Sequence, residues 1–284
     1  MTDTGSTTQA VPTVYVRQRD IVLISGPEAI AYLHGQITQS IEDLAIGESR
    51  WSLSLEPRGN TEAFFRITRT GDETLIADCD LGHGEAAQLS MAKFKLRTKA
   101  EFDLETRWMV SVRDTTDIDA AGLDTADSDN AEFRLDPAWP GVEGFDLLLA
   151  SGAAEPTFDS AVDDDTWNRW RTSHGVLAAA VDVPIGGIPN ETGVTGFAAS
   201  FTKGCYRGQE LVERIDSRGA QRLVMRRLEG SSLEVGPILH DGSEVGNVTS
   251  AAGGWALGFV RGAVEPGAAV SAGGEATVHA LLEG

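Results

Sequence analysis

From about Leu223 the chain changes texture, and that change limits what it can fold into. Short apolar runs alternate with glycine-rich turns: RLVMRRLEG, ILHDGSEVGNVTS, WALGFVRG and AAVSAGGEATVHAL. Runs this short and closely spaced build strands joined by tight turns rather than helices. Asp241-Gly242 is a two-residue hairpin signal, because a type I′ turn needs positive φ at both central positions. Residues 223–284 therefore predict a small all-β domain, barrel-like so that few strand edges stay open.

The preceding part reads differently. RDIVLISG is a strand running into a turn. Ser25 and Glu28 then have capping-box spacing, with Pro27 in the first turn. Ile30, Leu33, Ile37, Ile41 and Leu44 follow at helical spacing and predict one long apolar helix face. WSLSLEPRGNTEAFFRITR predicts strand, turn and strand around Pro57-Arg58-Gly59, TLIADC a further strand, and Gly84 to Leu96 a helix. Asp163, Asp164 and Asp165 precede Trp167 and Trp170 as helix-starting acids should. The acid-rich stretch Asp114 to Asp136 is expected to be a solvated excursion. Strands and helices mixed without regular βαβ alternation favour an α+β fold over residues 14–222.

Residues 1–13, MTDTGSTTQAVPT, are polar and lack the basic patch and apolar stretch of a secretory signal, so they are expected to form a frayed tail. No apolar run approaches the roughly 20 residues of a membrane helix. The two cysteines, Cys79 and Cys205, lie far apart, and free thiols in a reducing compartment are the default reading. The expectation is a cytoplasmic protein. No Cys/His cluster has zinc spacing, so no metal is expected.

The net charge is −20, from 43 acidic and 23 basic residues, a balance that repels nucleic acid and anionic membranes. Neither is expected as a partner. The basic residues are unevenly placed: 19 are Arg and only 4 are Lys. Lys93, Lys95 and Lys99 flank Arg97 in KFKLRTK, a +4 island without an acid. From Lys203 to Arg227 seven basic residues face three acidic ones, a second +4 stretch. Two basic islands in an acidic chain point to an anionic ligand, or to pairing with nearby carboxylates.

The chemistry concentrates in KGCYRGQE, Lys203 to Glu210. QELVERI reads as a helix, so Cys205 sits just before a helix N-terminus with Lys203 and Arg207 beside it. That setting favours a thiolate. The two glycines permit tight turns and close approach. A buried structural cysteine is the competing reading.

KGCYRGQELV closely resembles the K-G-C-Y-x-G-Q-E signature of the YgfZ family, folate-binding proteins of iron–sulfur maintenance. That family is related to the T-protein, the tetrahydrofolate-dependent aminomethyltransferase of glycine cleavage. GPEAIAYLHGQIT, EPRGNTEAFFRITR, KFKLRTKA, GGIPNET and GSEVGNVTSAAGGWALGFV are similar to further family segments. The resemblance implies two α+β subdomains around a central cavity, then a small β-barrel. It implies a folate, such as tetrahydrofolate, in the cavity. It implies functional roles for Lys203 and Cys205, and ligand-binding roles for Trp167, Tyr206, Arg207, Gln209, Glu210, Arg58 and Glu62. It also implies iron–sulfur client or assembly proteins as partners, and the chain is expected to be a monomer.

The chain departs from the family pattern in places. Arg19 stands where relatives can carry an aromatic near the first strand. Glu62 aligns with the catalytic aspartate of T-proteins, and Arg171-Thr172-Ser173-His174-Gly175 lacks the glutamate of their Arg-x-Glu-x-Gly. T-proteins lack the cysteine. Two readings stay open: an iron–sulfur factor working through Cys205, and a one-carbon transferase using a carboxylate such as Glu62. A folate-binding scaffold with a structural cysteine is a third.

Overall fold

A computed structural model describes residues 11–123, 130–218 and 222–282. Its centre is β1 (Thr13–Ser25), a 13-residue strand paired along its length with β5 (Glu101–Arg113) and also with β4 (Thr74–Asp80). With β2 (Ser49–Leu55), β3 (Thr61–Arg69), β6 (Ala131–Leu135) and β7 (Gly144–Leu149) they form a seven-stranded antiparallel sheet, order β2-β3-β4-β1-β5-β7-β6.

Period-two alternation gives the sheet two chemically distinct faces. Val22, Ile24, Phe65, Ile67, Ala77 and Cys79 form a buried apolar layer beneath α1 (Ala29–His34) and α2 (Gly84–Ala92). The intervening residues put Arg19, Arg66, Asp78, Arg113 and Asp146 on the opposite face, all buried. There the sheet meets α3 (Asp164–Ser173), a 3-10 turn (Pro189–Thr192) and α4 (Thr195–Ala198). Next come α5 (Gln209–Arg218), β8 (Leu223–Gly230), β9 (Gly236–His240), β10 (Ser243–Ala252), β11 (Trp255–Arg261), β12 (Ala269–Ala272) and β13 (Gly274–His279). These six strands close into a barrel, order β10-β11-β8-β13-β12-β9. Asp241 and Gly242, at φ 49° and 75°, make its β9–β10 hairpin as expected.

Several local expectations are corrected. The helix over Ile30–Leu44 ends at His34. Ile37, Ile41 and Leu44 are still buried, but from a loop: Ile37 bridges to Ser54, and the His34 ring accepts from the Ile41 amide. Glu28, not Ser25, is the cap, and its carboxylate accepts from the Lys99 amide at 2.6 Å. The second helix stops at Ala92 rather than Leu96, which takes φ 45°. Within Asp114–Asp136, residues 124–129 lie outside the described residues. The remainder is not simply solvated, since Ala121 and Leu123 are buried and Ala131–Leu135 forms an edge strand. Of the expected tail, residues 1–10 lie outside the described residues, while Thr13 already pairs with Arg113.

Candidate functional site

Cys205 is exposed, whereas Cys79 is buried in the apolar layer. The loop carrying Cys205 is fixed on both sides. Lys203 donates from Nζ to the carbonyls of His34, Ile37 and Gln39, the last two at 2.9 Å. Burial pushes this ammonium down to about 8. Arg207 reaches the end of α2: it donates to the Ser90 carbonyl at 3.0 Å and pairs with Glu62 at 2.8 Å. Glu62 also pairs with Lys93 at 2.8 Å. Burial would raise its carboxyl, but Lys93, Ser90 and Arg207 together hold it below its usual range.

Two glycines explain how the loop meets the sheet. Gly59 (φ 94°) and Gly208 (φ 80°) lie back to back, the β2–β3 turn against the start of α5. A Cβ on Gly208 would stand 2.5 Å from the Glu56 carbonyl oxygen, and one on Gly59 would stand 2.4 Å from Leu211 Cβ. Gln209 accepts from the Tyr206 amide at 2.7 Å, closing the turn. Tyr206 is buried in the core shared with Val212, Met225 and Leu257.

The sheet's polar face holds a different site. A cleft of about 550 Å³ is lined by Tyr15, Arg17, Asp80, Trp167, Asn168 and Arg171, among others. It continues into a recess of about 40 Å³ lined by Arg17, Arg19, Arg66, Arg113, Trp139 and Trp167, among others. Along its floor runs a buried ionic chain. Arg19 pairs with Asp80, and with Asp78 at 2.7 Å; Arg66 joins Asp78 at 2.7 Å to Asp146 at 2.5 Å; Arg113 closes on Asp146 at 2.8 Å. Such a chain holds together because each charge is met by opposite charge at hydrogen-bond distance. Tyr15 donates to Asp164, and burial followed by that carboxylate pushes its phenol up to about 12.

The residues expected to act together are thus divided. Trp167 lines the cleft, but its ring is already engaged. It stacks on Tyr15 at 4.7 Å and 8° and on Trp170 at 5.1 Å and 17°, with the Arg17 guanidinium carbon 4.9 Å from its centroid. It is 5% exposed, so a broad free face for a ligand ring is not what the fold provides. Residues 203–210 line neither cleft nor recess. Of the residues expected to contact a ligand, Tyr206 packs in the core, Arg207 pairs with Glu62 and Gln209 closes the turn. Glu210 is exposed in the first turn of α5, and Arg58 is exposed at the tip of the β2–β3 turn. Glu62 lines a shallow apolar groove with Leu89, Lys93 and Ile185, away from the cleft. Lys203 serves three backbone carbonyls.

Tyr15 and Arg17 are cleft residues that sequence reasoning passed over. With Arg19 they occupy alternate positions of TVYVRQRD and share one strand face, which sets an aromatic, Tyr15, four residues before Arg19. Among the described residues no cluster of three or more His, Cys, Asp or Glu could hold a metal ion. No helix there is long and apolar enough to cross a membrane.

The architecture, a polar-faced sheet over a cleft followed by a closed barrel, is that of the glycine-cleavage T-protein. It superposes on the aminomethyltransferase T of the glycine cleavage system from Bartonella henselae with a TM-score of 0.70, covering 96% of this chain and 86% of that one at 17% identity. In sequence, the chain is 25% identical over 246 residues to a Vibrio vulnificus protein named tRNA-modifying protein YgfZ, covering 78% of this chain and 72% of that protein. It is 27% identical over 233 residues to a Phaeosphaeria nodorum protein named iron-sulfur cluster assembly factor IBA57 homolog, mitochondrial, covering 77% and 56%. The expected resemblance to YgfZ proteins is therefore met by relatives bearing that name. No family model matches the chain.

Proposed function

We propose that this protein is a folate-binding factor that supports the assembly or repair of iron–sulfur clusters. In this reading the folate occupies the cleft and Cys205 acts outward, on a partner protein. The observation that carries it is the separation of the two sites. The exposed thiol stands outside the cleft. Glu62, the candidate acid of a transferase, is held by Arg207 and Lys93 outside it as well. A one-carbon transferase needs its carboxylate beside the reacting folate nitrogen. A cluster factor needs a sulfur that another protein can reach.

The cleft suits a folate in size and in chemistry. Its volume lies in the range of small-molecule sites. Its wall joins aromatic Tyr15 and Trp167 to Arg17, whose Nε is buried without a partner and which forms no hydrogen bond or ion pair with a described residue. Tyr15 and Arg17 would hold the ligand: an aromatic edge and a donor. A reduced folate would supply nitrogens that carry one-carbon units. The chain's own part is to bind it, shield it from water and present Cys205 elsewhere. The names of the two relatives, one tRNA-modifying and one of cluster assembly, agree with a service role toward cluster-dependent enzymes.

The test is complementation of cells lacking this protein, read as the activity of a cluster-dependent enzyme. Cys205→Ser is expected to abolish support while leaving folate affinity unchanged, and Glu62→Gln to retain most of it. An inactive Glu62→Gln beside a normal Cys205→Ser would establish the transferase instead.

A further inference from the structure

The charges that line the recess, unlike the ionic chain itself, do not balance. Four guanidinium groups, Arg17, Arg19, Arg66 and Arg113, face three carboxylates, Asp78, Asp80 and Asp146. All six carboxylate oxygens are already used. Asp78 takes Arg19 on Oδ1 and Arg66 on Oδ2; Asp146 takes Arg113 on Oδ1 and Arg66 on Oδ2. Asp80 takes Arg19 on Oδ1 and the Ala179 amide on Oδ2. Arg17 is the cation left over.

An arginine in such a place is costly unless something accepts from it. Burial and then the neighbouring Arg19 push its guanidinium down to about 10, which leaves it charged at neutral pH. Asp146 and Asp80 oppose that fall from a distance without bonding to Arg17, and its guanidinium carbon lies 4.9 Å from the centroid of the Trp167 ring, a weak substitute for an anion. A second buried donor without a partner, the indole Nε1 of Trp139, lines the same recess. The surplus at this end is therefore of donors and of positive charge. The recess, at about 40 Å³, has room for an oxygen-bearing group and not for a ring.

We infer that Arg17 is the specificity-determining residue of the cleft: it anchors an acceptor oxygen, carboxylate or ring carbonyl, at the buried end of an aromatic ligand. Only the identity of the ligand rests on the folate reading; the preference for a negatively charged or acceptor end follows from Arg17 alone. Arg19, Arg66 and Arg113 cannot serve, because each is committed to aspartate.

Two small probes of the same shape isolate the effect. 4-Aminobenzoate and 4-aminobenzamide differ in charge but hardly in size, and binding is followed by tryptophan fluorescence and calorimetry. Wild type is expected to favour the carboxylate by about tenfold or more, as a charge-assisted hydrogen bond would. Arg17→Leu should bind both alike and melt at or above the wild-type temperature, since it removes an unmatched charge. Arg17→Lys should keep part of the preference. A wild type indifferent to the two probes, an Arg17→Leu protein that still discriminates, or one that loses discrimination together with several degrees of stability would each overturn the inference. The last outcome would make Arg17 structural.

A tetrahydropterin and 4-aminobenzoylglutamate then separate the two oxygen sources. A penalty from Arg17→Leu on the pterin places a ring oxygen at Arg17, and a penalty on aminobenzoylglutamate places the tail carboxylate there. If neither folate fragment binds while the benzoate preference stands, the folate reading fails and the acceptor site survives.

Discussion

Lys203 and Cys205 stand two residues apart in one signature and answer to different demands. The lysine ammonium is half-buried and spends its donors on three carbonyls of the His34–Gln39 loop, the segment that would otherwise continue α1. Removing it leaves those acceptors unmet, and hydrogen bonds to a charged group are worth more than neutral ones. Lys203→Met is therefore expected to cost about 3 kcal/mol of stability, of the order seen when a buried polar network is broken. Cys205 is exposed, and Cys205→Ser should leave the urea midpoint unchanged. Equal loss in both variants would make the cysteine structural after all. The distinction was not legible in the sequence. KGCYRGQE announces that each position is constrained, but a lysine flanking a cysteine reads the same whether it serves the sulfur or a distant backbone turn. Arg207 is the same case: its charge was legible, and its partner Glu62, 145 residues away, was not.

At the scale of elements, patterns that repeat with a fixed period survived folding, and those that depend on distant contacts did not. The barrel strands, the hairpin at Asp241-Gly242 and the Asp163 cap of α3 all follow from local chemistry, the last with Asp163 accepting from the Thr166 amide at 2.9 Å. The helix expected through Leu44 failed because the Lys203 ammonium and the Ser54 bridge reward a loop there. The junction of the β2–β3 turn with α5 gives one prediction. Gly208 at φ 80° has the Glu56 carbonyl where a Cβ would go, so Gly208→Ala should cost about 2–4 kcal/mol through strain and overlap. It should also change the alkylation rate of Cys205, because the clash displaces the cysteine loop; an unaltered rate and melt would sink this account. The sheet gives another. Burial alone would raise the Asp146 carboxyl, but Arg113, Arg66 and Arg17 outweigh it and push the group far below its ordinary 3.8. A carboxyl depressed in the folded state gives stability that is whole above the unfolded value and lost as pH falls through the folded one. The gap between wild type and Asp146→Asn in urea unfolding should therefore stay constant from pH 7 to about 5 and shrink below about 4. A gap that does not change down to pH 2.5 would refute it.

For the molecule as a whole, the sheet acts as a partition. One face is apolar and covered by α1 and α2; the other carries the ionic floor of the cleft. The cysteine loop binds residues 34–39 and the end of α2, beside edge strand β2, while Tyr15, Arg17 and Trp167 stand over the middle of the sheet. A sequence displays both groups as short motifs and cannot display the partition, because it does not say which side of a strand a loop 150 residues later will reach. The fold class was accessible from periodicity and resemblance, and so was the cysteine; the separation of thiol from cleft needed coordinates. It has a consequence that distinguishes an outward-acting thiol from one working on the bound ligand. If the thiol acted on the ligand, a saturating folate would bury it, and its alkylation would slow in proportion to occupancy. If the sites are separate, a folate that quenches the tryptophans of the cleft should leave the Cys205 alkylation rate within about twofold of the free protein, well short of the tenfold that 1.4 kcal/mol of protection would give. Cys79, buried in the apolar layer with its thiol pushed up by desolvation, should stay unlabelled in both states and serve as the internal control for unfolding. Protection of Cys205 that tracks folate occupancy, with Cys79 still silent, would mean that the thiol and the cleft form one site.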